Sequence, residues 1–264
     1  MKILRSALPV LAAFALLAGC ATTKVELNPA LQEKVSRDKK FLIMPVPVQV
    51  TKSKVAGAER LYELEREFST IISEAAEQAL KELNLEIVPA GLSPKELESN
   101  PDLKYEVTDL QDKFDHTLYQ EMQGNVSRES LNQVHTLGAD VVPFAQAAGG
   151  DAIVFIRGYS TIESVPKRLL YAVGGTNIYS GLRINMGLVD GKDGSVFHAL
   201  TFMILVDQYL KWPLGENDKS PIMVDPKKRE QIKNEIYGII KRNLSDLYAP
   251  KTETKPAAPA KTTS

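Results

Sequence analysis

Ala152-Ile153-Val154-Phe155-Ile156-Arg157-Gly158-Tyr159 is the stretch that decides the fold. It opens with the apolar residues Ala152 to Ile156, is preceded by the pair Gly149-Gly150 and is rich in β-branched and aromatic side chains, so it reads as a strong central strand. Downstream, Gly181 to Val189 alternates Leu182, Ile184, Met186 and Leu188 with smaller or more polar neighbours. Asp190-Gly191-Lys192-Asp193-Gly194 supplies a tight turn of residues that tolerate positive φ, and Val196 to Val206 returns as the partner strand.

Upstream, Phe41 to Val46 is a short apolar run bounded by Lys39-Lys40 and a proline, which again suits a buried strand. From Leu61 to Leu83 the apolar residues recur every three or four positions, giving an amphipathic helix that Asn84 stops. Leu85 to Val88 is a second strand, so the chain opens strand-helix-strand, the unit that builds α/β sheets. The polar middle, Ser93 to Leu137, reads as a helical insertion in pieces: one opened by Ser93-Pro94, a second over Tyr105 to Met122, a third over Ser127 to Leu137. Ala139 to Ala148 is another helix, closed by Gly149-Gly150, and Asp225-Pro226 opens a last one through Ile232, Ile236, Ile240 and Leu244.

The motifs Leu137-Gly138-Ala139-Asp140, Gly149-Gly150-Asp151-Ala152-Ile153-Val154 and Val189-Asp190-Gly191-Lys192-Asp193-Gly194, with a strand ending at Val88-Pro89, resemble a known group over about residues 40 to 206. They are similar to the periplasmic lipoproteins related to the curli-secretion channel and to the amino-terminal domain of the Tol-Pal translocation protein. That resemblance implies an α/β fold of anticodon-binding-like form, a mixed sheet with helices packed on one or both faces. It also implies a non-enzymatic envelope component for assembly or secretion, often a ring, although fold alone does not fix function.

The amino terminus gives an address. Lys2 and Arg5 form a basic start, Ala7 to Leu17 an apolar core, and Leu17-Ala18-Gly19-Cys20 a cleavage site. The apolar run is shorter than the ~20 residues of a spanning helix and is interrupted by Pro9. It resembles a bacterial lipoprotein signal, which implies cleavage between Gly19 and Cys20, lipid on the Cys20 sulfur and, through Ala21, delivery to the outer membrane. The expected layout is a signal peptide at 1–19, a lipidated tether at 20–39, one periplasmic domain at 40–248 and a disordered tail at 249–264, where Pro250, Pro256 and Pro259 alternate with Lys and Thr.

Composition narrows the partners. Removing Lys2 and Arg5 from the 32 basic residues leaves 30 against 33 acidic ones, a balance that argues against nucleic acid. Cys20 is the single cysteine, so its lipidation leaves no thiol for a disulfide. The three histidines, His116, His135 and His198, have no metal-ligand spacing, and no cofactor motif stands out. Asp193, Ser195 and His198 lie close in sequence but in a hairpin turn, without the strand-to-helix elbow of a serine hydrolase. The expected partners are the membrane, other envelope proteins and further copies of the chain. Leu169, Leu170, Tyr171, Ile178 and Tyr179, grouped around Gly174-Gly175, are candidate membrane or partner contacts, and so is Trp212. Two further readings stay open: a secretion-channel subunit that uses 165–180 as an apolar hairpin, and a periplasmic hydrolase with a dispersed site.

Overall fold

In a computed structural model of the chain, the described residues are 22–25, 29–55, 57–89, 92–122, 135–175, 179–213 and 221–248. The expected signal peptide with Gly19 and Cys20, and the tail at 249–264, lie outside them. The central strand is β6, Ala152–Glu163. It runs antiparallel to β7, Gly181–Asp190, from Ala152 opposite Asp190 to Thr161 opposite Gly181. β7 continues into β8, Val196–Leu205, with a bulge at Leu188/Val189, and β1, Thr22–Val25, lies antiparallel on the outer side of β8.

Two strands share the other side of β6 in tandem. β2, Lys40–Ile43, pairs parallel with its first part, and β3, Val48–Ser53, pairs parallel with its last. Pro45 and Pro47 stand between them, and proline cannot donate to a ladder, so one line of chain is split in two. β4, Ala58–Arg60, folds back on β3, while β5, Glu86–Ile87, lies parallel beside β2. A separate pair joins β9, Leu210–Lys211, to β10, Met223–Val224.

Side chains alternate across this sheet and build two cores. Phe41, Val48, Val50, Val154, Ile156 and Ile162 face one side, where α1, Tyr62–Glu82, brings Phe68, Ile71 and Ile72 and α6, Arg229–Leu247, brings Ile232, Ile236 and Ile240. Each such side chain, once buried, contributes about 1.5–3 kcal/mol. On the opposite side Leu42, Met44, Ile153 and Phe155 meet Val107, Leu110 and Phe114 of α3, Pro101–Met122, and Val141 and Phe144 of α4, Val141–Ala148. The rings of Phe114 and Phe155 stack with centroids 4.9 Å apart. The short α2, Pro94–Ser99, precedes α3 with a reciprocal Ser93/Glu96 capping box. The α/β class, the mixed sheet and helices on both faces are therefore as expected.

Several elements depart from the expectation. The apolar hairpin expected at 165–180 is not formed by its first residues: Val165–Val173 is a helix, α5, begun by Ser164 in extended conformation with proline in the first turn. Thr22–Val25, expected in the tether, is the edge strand β1, and Pro29–Lys34 is a 3-10 turn. Of the helix expected over Ser127 to Leu137, residues 127–134 lie outside the described ones; Thr136 instead bridges to Ser195. Asp225-Pro226 forms a turn rather than a helix start, because the Asp225 carbonyl takes Lys228 N–H and the helix begins at Arg229. Asn84 does end α1, in the left-handed conformation at φ 58°.

Candidate functional site

The glycine motifs meet at one end of the sheet. Asp190 closes the β7–β8 turn: its backbone N–H bonds Ser195 O at 2.9 Å, and its carboxylate accepts Lys192 N at 2.8 Å and Lys39 Nζ at 2.6 Å. Leu137 N donates to Gly194 O and Gly191 N to Asp151 O, each at 2.9 Å. The motifs thus form a joint that ties the turn to the segment preceding α4 and to the start of β6. The same geometry places Asp193, Ser195 and His198. Ser195 Oγ donates to Asp193 Oδ1 and accepts from Lys34 Nζ, each at 2.7 Å, and Lys34 also pairs with Asp193. His198 is buried on β8 opposite Leu188. Burial disfavours the Asp193 charge, but the bonds from Lys34, Ser195 Oγ and Ser195 N outweigh it and hold the carboxyl at about 2. The serine hydroxyl is committed to a turn.

The open surface is at the other end. Along β6 the second face begins with Ile153 and Phe155 under α3 and α4, then changes to Arg157, Tyr159 and Thr161. Register carries this change across the sheet, with Arg157 opposite Asn185, Tyr159 opposite Arg183, and Arg183 opposite Met203. The result is a trough of about 410 Å³ whose floor includes Gln49, Thr51, Tyr159, Thr161, Arg183 and Asn185. Its border with α3 is polar. Tyr159 OH donates to both oxygens of Asp115 at 2.6 and 2.7 Å, and Arg157 pairs with Asp112 at 3.3 Å and Asp115 at 3.5 Å. Met203 adds an exposed apolar side chain on β8. Amide, hydroxyl, guanidinium, aromatic and thioether groups on a broad, open floor can bind another protein's surface; Arg and aromatic side chains are enriched at such contacts.

Leu170, Tyr171 and Tyr179 are exposed at this end. The side chain of Leu169, and Ile178, Gly19 and Cys20 entirely, fall outside what the structure describes. Trp212 is a different matter: it is half-buried and packs on the first core, so it is not an open contact. The trough residues were missed in the sequence. Their signal is a strand whose alternate positions pass from Ile153 and Phe155 to Arg157, Tyr159 and Thr161, marking where the helical cover stops. Among the described residues no cluster of three or more His, Cys, Asp or Glu could hold a metal, and no helix is long and apolar enough to cross a membrane.

No protein-family model and no curated protein matches the sequence. Among solved structures the chain is similar to the PelC dodecamer from Paraburkholderia phytofirmans, at 10% identity and a TM-score of 0.32, over 88% of this chain and 99% of that one. It is similar to lipoprotein GNA1162 from Neisseria meningitidis at 14% identity and 0.30, over 76% and 96% of the two chains. For the LpoB C-terminal domain from Salmonella enterica the values are 10% and 0.28, over 68% and 96%. Likeness at this level carries neither an activity nor a partner across.

Proposed function

We propose that this chain is a non-enzymatic lipoprotein, anchored through Cys20 in the outer membrane and facing the periplasm, that acts through protein contacts in envelope assembly, secretion or maintenance. The observation that carries the contact role is the uncovered second face of the sheet. A sheet buried by helices over one half and left open over Tyr159, Thr161, Arg183 and Met203 offers a standing surface for a partner protein or another copy of the chain. The address rests on Leu17-Ala18-Gly19-Cys20 and on Ala21. The motif resemblance to the curli-secretion lipoprotein group supports the role, and the joint those motifs build shows why the residues are needed structurally. A channel formed by an apolar hairpin at 165–180 has no support in a stretch whose residues Val165–Val173 are helical.

Two experiments test the reading. Fractionation of cells making the Cys20→Ala variant is expected to move the protein from membrane to soluble fractions, and globomycin to block processing of the natural chain. A mature protein that stays soluble whether or not Cys20 is present would defeat the address. Arg183→Glu with Thr161→Arg is expected to reduce co-purification of envelope partners without lowering the melting temperature. Unchanged co-purification would defeat the contact surface.

A further inference from the structure

We infer that the end of the sheet carrying α5 rests on the bilayer that holds the anchor, with Val55, Leu170, Tyr171, Val173, Tyr179 and Leu205 at the lipid surface. This inference rests on the lipid-anchor reading above. β1 sets the distance. Thr22 pairs with Phe202 and Val25 with Ala199, so the amino-terminal end of β1 points along β8 toward Leu205. Cys20 precedes Thr22 by two residues, and an extended chain spans at most about 3.6 Å per residue, so the acylated residue stays within about 7 Å of that strand end.

The rest of the patch converges on the same end by register. Gly181 stands opposite Leu205, Thr161 opposite Gly181, and Ser53 beside Glu163. At about 4.8 Å between neighbouring strands, β6 lies within about 15 Å of β1. α5 follows the last residue of β6, Tyr179 precedes the first residues of β7, and Val55 follows the last residue of β3. Of the ten large apolar side chains exposed among the described residues, these six share one end, with Val173 at 90%, Val55 at 69% and Leu170 at 63% exposed. The opposite end is closed by the ion pairs Lys34–Asp193 and Lys39–Asp190. A short helix that exposes Leu170, Tyr171 and Val173, with Tyr179 following it, suits the boundary between headgroups and acyl chains. An anchor attached this close to the fold brings that patch to the bilayer rather than holding the domain away from it.

The test uses the full acylated protein in phosphatidylethanolamine–phosphatidylglycerol vesicles. Lipid occupies the Cys20 sulfur, so a thiol-reactive, environment-sensitive dye reports only an introduced cysteine: Val173→Cys, Val55→Cys, or Lys192→Cys at the far end. Two sites at the patch guard against one variant failing to fold. Dyes at 173 and 55 are expected to shift to shorter wavelength and to be quenched by doxyl-labelled lipid, while the dye at 192 is quenched only by aqueous iodide. Intact mass decides the premise first: protein without acyl chains defeats the anchor reading, and this inference with it. If the protein is acylated, dyes at 173 and 55 that stay open to iodide overturn the inference alone. Dyes shielded from iodide yet untouched by doxyl lipid overturn it as well, by showing protein, a second copy or another partner, on that end.

Discussion

Three glycines in one joint separate two costs that usually arrive together. Gly138 has φ 87° with nothing within 4 Å of an added Cβ, so Gly138→Ala suffers only the left-handed backbone, about 1–2 kcal/mol. Gly191 has no positive φ, but its Cβ would stand 2.9 Å from Ala145 Cβ and 3.0 Å from Asp151 O, an overpacking cost of about 1–3 kcal/mol. Gly194 meets both conditions, with φ 73° and a Cβ placed 2.3 Å from the carbonyl oxygen of Gly138. That oxygen belongs to the backbone and cannot swing aside as a side chain would. Gly194→Ala is therefore expected to cost about 2–5 kcal/mol, the two effects combined. In a domain of this size that is a fall of about 4–20 °C in melting temperature. Urea unfolding by circular dichroism gives the comparison, with the m-value held as the check that only stability has changed. If Gly194→Ala unfolds at the same midpoint as Gly138→Ala, the close packing of the turn against residue 138 is wrong.

Three other outcomes are expected. Asp193 is held at about 2, below the ordinary carboxylate range near 3.9, so its bonds with Lys34 and Ser195 stabilise the fold above that range and are lost as pH falls through about 2; Asp193→Asn should flatten the stability–pH curve there, and an unchanged acid limb in a pH series of thermal melts would refute this. Phe114→Ala removes a buried ring stacked on Phe155 and should cost about 3–5 kcal/mol in chemical denaturation; a loss below 1 kcal/mol would mean that α3 is not seated on the sheet. Tyr159→Phe removes a donor to Asp115 and should cost about 1–2 kcal/mol, since Arg157 still faces that carboxylate; calorimetry showing no loss would place α3 elsewhere.

How far each element could be read from sequence follows from how its two sides are solvated. β6, β7 and α1 carry long apolar patterns because helices cover one or both of their sides, and these were legible. β3 and β4 were not: Val48-Gln49-Val50-Thr51-Lys52 is half polar because its second face lies in the open trough, and a three-residue β4 leaves little pattern. β1 reads as a linker since Thr22-Thr23-Lys24-Val25 gains its strand state from pairing with β8, a tertiary effect. At 165–173, Gly174-Gly175 suggested a hairpin tip, whereas Ser164 and Pro166 are the residues that start a helix there. The contact surface escaped for the same reason as β3. A polar residue on a strand reads as ordinary solvation until register shows that it continues a face whose nearer half is buried.

The most direct test of the central claim, that the open half of the sheet meets other proteins, is site-specific photocrosslinking in the living envelope. A benzophenone amino acid placed at position 183, in the trough, is compared with one at 81, on the exposed side of α1. Discrete higher-mass adducts are expected from 183 and none from 81, with adduct composition identifying another copy or an envelope partner. Absence of adducts from 183, or the same adducts from both positions, would contradict that claim.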